Sequence, residues 1–168
     1  APENLFIIAH RLVTGAYGFP PIRMTFVEGT TVREIGAQIA EAFPGINAED
    51  FRDAGKQYEG YLFPDTYLFS PSANIASMLK TMRNNFDVKI SSLKSDISTS
   101  GHSISDIVIM ASLVEKEART DVNRRIVAGI LWDRLALGMP LQVDAVFGYI
   151  FNRDTYSPSL DDLKTVSP

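Results

Sequence analysis

Cysteine is absent from the 168 residues, and histidine and tryptophan are scarce, at two and one. Without a thiol there is no disulfide, no thiolate-held metal and no cysteine nucleophile, while the compartment stays open. His10 and His102 stand alone, at no metal-ligand spacing to each other or to a carboxylate pair, so no metal site is expected. Positive charge is not in excess either. The net charge is −4 and the pI about 5.1, which argues against a nucleic-acid partner, since that needs a basic face to displace counterions. No apolar run reaches the roughly 18 residues of a membrane span, and no signal peptide opens the chain. It begins Ala1-Pro2-Glu3 without Met. The expectation is a processed or cut chain whose anchor, if it has one, lies outside it. Missing G-x-S-x-G, P-loop and G-x-G-x-x-G patterns leave no cofactor to expect.

What is present is ordinary globular composition, 45% hydrophobic and 21% charged, enough for one domain or two small subdomains. Leu5, Ile8 and Leu12 have helical spacing up to Gly15. Ile22, Met24 and Phe26 alternate as in a strand. A helix follows with a capping box from Thr31 to Glu34, apolar positions Val32, Ile35, Ile39 and Phe43, and a stop at Pro44-Gly45. A short helix from Asn47 completes a small α+β arrangement. "YEGYLFPDTYLF" comes next, then a helix from about Ser72 with Ile75, Met78, Leu79, Met82 and Phe86 on one face. Residues 91–105, rich in serine, read as the end of that helix and a loop. Helices are expected at about 104–118 and 121–137, with Gly138 as C-cap. "MPLQVDAVFGYI" reads as a strand or extended segment, and Ser159 to Asp162 as one more helical turn.

Three stretches offer chemistry. Around "ASLVEKEA" (111–118), Ile107, Ala111, Val114 and Ala118 form the apolar stripe of the 104–118 helix, with Glu115 and Glu117 on its two flanks, roughly 200° apart. Glu115 has Arg119 at i+4, a favourable order for an ion pair. Glu117 has Leu113 at i−4 and Asp121 at i+4. Burial of such a carboxyl would disfavour its charged form, which is what a general acid needs. Both glutamates also fit a solvated helix flank. In the aromatic segment, Tyr61, Phe63, Tyr67 and Phe69 share one parity and Leu62, Pro64 and Leu68 the other. Such rings suit a sugar-binding cleft, or equally the core of a strand pair, and Pro64-Asp65 hints at a kink. Gln142 and Asp144 fall on one side of an extended segment, where either could hydrogen-bond a polar ligand or sit at a strand edge.

Taken in order, "EGYLFPDTY" (59–67), "ASLVEKEA" (111–118) and "VAGILWDRLALGMPLQVD" (127–144) resemble the signature blocks of the YceG-like endolytic murein transglycosylase family. "TFVEGTTVREIGAQIAE", from Thr25, is similar to the LysM-like subdomain that precedes the catalytic part there. The resemblance implies an α+β fold: an N-terminally truncated LysM-like subdomain at 1–57, then a mainly helical catalytic domain with short strands at 58–168, truncated C-terminally. It implies lytic cleavage of peptidoglycan glycan strands between N-acetylmuramic acid and N-acetylglucosamine, leaving 1,6-anhydro ends. The family's catalytic Glu, second of its E-K-E block, falls on Glu117. By the same carry-over Gln142 is a substrate contact, with Glu59, Tyr61, Asp65 and Asp144 as cleft residues. The implied partners are glycan strands and peptidoglycan synthesis enzymes. The implied place is the extracytoplasmic face of a bacterial cell membrane, as the ectodomain of a single-pass protein. There are two departures. Val143-Asp144-Ala145-Val146 stands where the family has Ser/Thr-Asp-Pro-Thr, and the chain stops at Pro168, before the family's Tyr-Asn-Thr-Tyr and Gly-Leu-Pro-Pro segments. A non-catalytic glycan-binding or scaffolding module, or a hydrolytic muramidase using the same Glu, are the alternatives.

Overall fold

The computed structural model describes residues 5–14, 20–151, Ser159 and Asp161. The chain divides into two compact units, Ala1–Ser91 and Ser92–Pro168. This division follows packing, whereas the 57/58 boundary above follows the family's motifs.

In the first unit, α1 (Leu5–Thr14) has the expected helical course, with Leu5 and Leu12 exposed. Strand β1 (Ile22–Thr25) pairs antiparallel with β2 (Thr66–Phe69), aligning Met24 with Tyr67 and Ile22 with Phe69. Between them lie α2 (Val32–Ala42), α3 (Ala48–Gly55) and a short 3-10 turn, Lys56–Tyr58. Helix α4 (Ile75–Ser91) closes the unit. The capping box forms as its spelling predicts. Thr31 Oγ1 accepts from Glu34 N, and Glu34 Oε2 accepts from Thr31 N at 2.7 Å. All four expected apolar positions of α2 are buried, and Asn47 caps α3 through Oδ1.

The core is built where the pattern required it. Met24, Tyr67 and Phe69 from the sheet meet Ile35, Ile39 and Phe51 from α2 and α3, and Met78 and Met82 from α4. Gly55 makes the close helix approach possible. A Cβ there would stand 2.7 Å from a Val32 methyl, so any larger residue must displace packed side chains. Helix α4 starts at Ile75, not Ser72. Asn74 and Ser77 cap it reciprocally, Ser77 N donating to Asn74 Oδ1 and Asn74 N to Ser77 Oγ.

The second unit holds α5 (Lys94–Ser100), α6 (Ile104–Glu117), α7 (Asp121–Ala136) and α8 (Ala145–Phe151). Two expectations are corrected here. The serine-rich stretch contains a helix, because its hydroxyls turn back on the preceding turn. Ser98 and Thr99 donate to Ser95 O, and Ser100 to Ile97 O. Gly101, at φ 76°, ends it. The "MPLQVDAVFGYI" segment forms no strand: it is irregular to Val143, turns at Asp144 and then becomes α8, in which Phe147 and Phe151 stack one turn apart at 6.2 Å. A short apolar run fits either period. Met110, Val114, Leu131 and Val143 are the buried core of this unit.

The result is an α+β chain, mostly helical, with one two-stranded antiparallel sheet among the described residues. No single described helix is long and apolar enough to cross a membrane. The expected turn at Ser159–Asp162 lies outside the described residues save Ser159 and Asp161.

Candidate functional site

Helix α6 begins with a second capping box, Ser103 with Asp106. Ser103 Oγ donates to Asp106 Oδ2 at 2.6 Å, and this bond above all holds the Asp106 carboxyl below its usual range. The helix stops at Glu117 because Ala118 turns extended (φ −134°, ψ 132°) and is buried. The sequence pairing of Glu115 with Arg119 therefore fails: Arg119 lies past the helix end, not one turn above. Arg124 of α7 takes its place, with Nη2 2.8 Å from Glu115 Oε1 and Nε donating to Ala118 O at 3.2 Å. One guanidinium thus holds a half-buried carboxylate and the carbonyl at the end of the helix. Glu117, two residues on, is exposed, so the burial considered for it is not found.

Helix α7 ends in a Schellman turn. Gly138, at φ 67°, donates to Leu135 O at 3.0 Å, and Met139 N donates to Arg134 O at 2.8 Å. The chain then runs through Gln142, a non-glycine residue at φ 54°. Such a backbone is costly and persists only where the surroundings hold it. Here Arg134 Nη2 donates to Gln142 Oε1. Gln142 and Asp144 are exposed on either side of buried Val143, but the left-handed backbone at Gln142 means that they do not lie on an extended segment. Asp144 also starts α8, its carbonyl accepting from Phe147 N at 3.1 Å.

In the first unit the three candidate residues have structural employment. Glu59 is half-buried and its carboxylate accepts from Val32 N at 3.2 Å, at the start of α2. Burial raises its pKa, the bond from Val32 works against that, and nearby Glu34 adds to it. Asp65 is exposed and accepts from Asn85 Nδ2 at 3.0 Å and Thr66 N at 2.7 Å, with Lys89 Nζ 3.9 Å away. The Asn85 bond, then the Thr66 bond, lower its pKa. Asn85 also donates to the Tyr67 hydroxyl, which donates to Phe63 O. Tyr67 and Phe69 are core, stacked at 5.6 Å, so of the four aromatic residues only half-buried Tyr61 and Phe63 remain as cleft candidates. Tyr61 meets Phe86 edge-on at 5.1 Å and carries Arg83 over its ring. Lys89 covers Phe63 in the same way.

The candidates therefore fall into two sets, Glu59, Tyr61 and Asp65 in one unit and Glu117, Gln142 and Asp144 in the other. Sequence reading missed Arg124 and Arg134, which lie in and beside the third block; only their later contacts distinguish them from other helix arginines. It also missed the stack of His102 on Trp132, with ring centres 3.7 Å apart. Among the described residues no group of three or more acids and histidines gathers to hold a metal. A groove of about 690 Å³ in the first unit is lined by Phe43, Ile46, Asn47, Pro71, Asn74 and Ile75 among others, and by none of the candidates.

Comparison with known proteins adds the family. A protein named endolytic murein transglycosylase from Bacillus subtilis (strain 168) is 27% identical over 192 residues, covering 98% of this chain and 53% of that protein. One of the same name from Streptococcus pneumoniae serotype 2 is 36% identical over 100 residues, 58% of this chain and 18% of that protein. A crystal structure of a YceG-like protein from Listeria monocytogenes superposes with a TM-score of 0.79 at 24% identity, over 99% of this chain and 64% of that one. The chain thus spans about half the length of the Bacillus relative and less of the other. The YceG-like family model matches residues 3–168, and with nearly the whole sequence inside that match, the chain belongs to the YceG-like family.

Proposed function

We propose that this chain is part of a peptidoglycan lytic transglycosylase that cuts glycan strands between N-acetylmuramic acid and N-acetylglucosamine, with Glu117 as its acid and base. The carrying observation is the match of 98% of the chain to a protein named endolytic murein transglycosylase. The local geometry favours Glu117 over Glu115. Glu115 is half-buried against Arg124 and braces the end of α6, while Glu117 is exposed where a polymer can reach it.

In the reaction the Glu117 carboxyl gives its proton to the glycosidic oxygen as the bond from C1 breaks. The carboxylate then takes the proton of the muramoyl 6-hydroxyl, whose oxygen closes on C1 to form the 1,6-anhydro ring. One protein carboxyl suffices because the nucleophile belongs to the substrate, unlike the two-carboxylate glycosidases. Gln142, with Asp144, contacts the strand. A LysM-like glycan-docking role falls to residues 1–57, where β1, α2 and α3 follow one another. We place the protein's work at the extracytoplasmic face of the membrane, beside peptidoglycan synthesis enzymes.

Digestion of purified glycan strands followed by mass spectrometry tests this. Products ending in 1,6-anhydro-muramic acid that vanish with Glu117→Gln are expected. Reducing ends would show a hydrolytic muramidase at the same site. Strand binding that survives Glu117→Gln, with no turnover by the wild type, would show a non-catalytic glycan-binding module.

A further inference from the structure

Three features of the second unit converge on one arginine that the proposed reaction does not use. Arg134 caps the C-terminal turn of α7 through its carbonyl, which accepts from Met139 N. Its Nη2 donates to Gln142 Oε1. Its Nε–H is buried and meets no acceptor. Backbone and side chain of one residue therefore both grip the segment that leads to Gln142, the residue held at φ 54°. Among the described residues no carboxylate pairs with this guanidinium; its side-chain bond goes to a carboxamide.

That choice of partner has a chemical consequence. A guanidinium has only donors. The carboxamide must therefore face it with oxygen, which leaves the NH2 of an exposed side chain turned to solvent. We propose that Arg134 is a positioning residue: it fixes the Gln142 carboxamide so that position 142 presents a hydrogen-bond donor to an acceptor oxygen of the bound glycan. This rests on the reading of Gln142 as a strand contact. Arg134 does not serve charge stabilisation at the reacting carbon, because the transition state there is oxocarbenium-like and positive. Its work is orientation, where a displacement of about 1 Å can cost roughly 100-fold in rate.

The test has two arms in this chain. In the first, the side-chain amide resonances of Gln142 are followed by NMR. Signals shifted away from free-amide values in the wild type, by the guanidinium bond to the carboxamide oxygen, that return to those values in Arg134→Met support the contact; signals unchanged by that substitution overturn it. The second arm measures strand cleavage. Arg134→Met is expected to lower kcat/KM by about 10- to 100-fold, with partial rescue by Arg134→Lys, which keeps one donor but not the fork. Gln142→Glu separates orientation from stability. The carboxylate keeps and strengthens the Arg134 bond but presents no outward donor, so Tm holds or rises while kcat/KM falls as far as in Gln142→Ala. Full activity of Gln142→Glu overturns the proposal. So does additivity: Arg134→Met combined with Gln142→Ala should be no worse than Gln142→Ala alone. A wild type that cleaves no strand defeats the functional reading instead, and the amide spectrum then decides the Arg134 contact by itself.

Discussion

Thirteen buried residues form the core cluster of the first unit, and four that of the second, among the described residues. The larger core takes side chains from the sheet, α2, α3 and α4, with Phe51, Ile39, Met78 and Met82 wholly enclosed. The smaller one leaves Val122, Ile126 and Ile130 of α7 more than half exposed. Polar side chains differ in what they bond rather than in exposure, since Asp65 is exposed too. In the first unit Glu59 and Asp65, family-block residues both, hold helix and strand ends. In the second, Glu117, Gln142 and Asp144 stand exposed. A residue inside a signature block is thus not by that fact a chemical group, since the first unit uses such residues to fix its own backbone.

The comparison is broken most severely at Phe51. Phe51→Ala should cost about 3–5 kcal/mol, read from hydrogen exchange of amides in α2 and β2. Leu131→Ala, read from the amides of α6 and α7, should fall toward the low end of about 2–5 kcal/mol, because half-exposed neighbours can close on the gap. Equal losses would contradict the contrast in packing. Gly55→Ala comes next. It sets a methyl against Val32 and should cost about 1–3 kcal/mol by overpacking, measured as a shift in denaturation midpoint; a neutral result would mean the α2–α3 approach is looser than 2.7 Å implies.

Arg124→Ala is smaller, about 1 kcal/mol for a partly exposed pair, with fraying of the last turn of α6 visible in exchange at Ala118. Arg119→Ala should leave that turn unchanged. The smallest effect is in pH dependence, and its signs differ. The Asp65 pKa is lowered in the fold, so its stabilisation is present above 3.8, the ordinary value, and is lost as pH falls through the folded pKa. Asp106 behaves likewise in the second unit. The Glu59 pKa is raised, so its contribution is complete below 4.5 and is lost as pH rises through the folded pKa. Titrating stability across the acid range in Asp65→Asn and Glu59→Gln should remove changes of opposite slope; slopes of one sign would refute the assignment.

Much of the first unit was legible because its signals are local. A Thr-to-Glu capping box, a period of two at Ile22, Met24 and Phe26, and a stop at Pro44-Gly45 each act within a few residues. The second unit was less so. Serines 98 and 100 hydrogen-bond within a helix where their composition suggested a loop, and the run after Asp144 fits either period. Arg124 displaced Arg119 as the partner of Glu115 because the helix ends one residue before Ala118, a boundary finer than periodicity can place. Gln142 and Asp144 are both exposed beside Val143, but the extended segment assumed for them is absent, because Gln142 takes a left-handed backbone that a period of two cannot reveal. The grip of Arg134 on Gln142 was invisible, since it depends on a turn geometry set by Gly138.

The two strands of the first unit bear on how it folds. Thr25 and Thr66 sit side by side with hydroxyls 2.8 Å apart, yet are 41 positions apart along the chain. They are not joined by a tight hairpin, so the ladder cannot zip from its own turn in the microseconds a hairpin takes. Closing the ends of so long a connection costs entropy before the pairing returns anything. The expected order is that α2 and α3 meet before the sheet closes, in which case substitutions in the strands raise the unfolding rate more than they lower the folding rate, as a chevron measurement on strand variants would check.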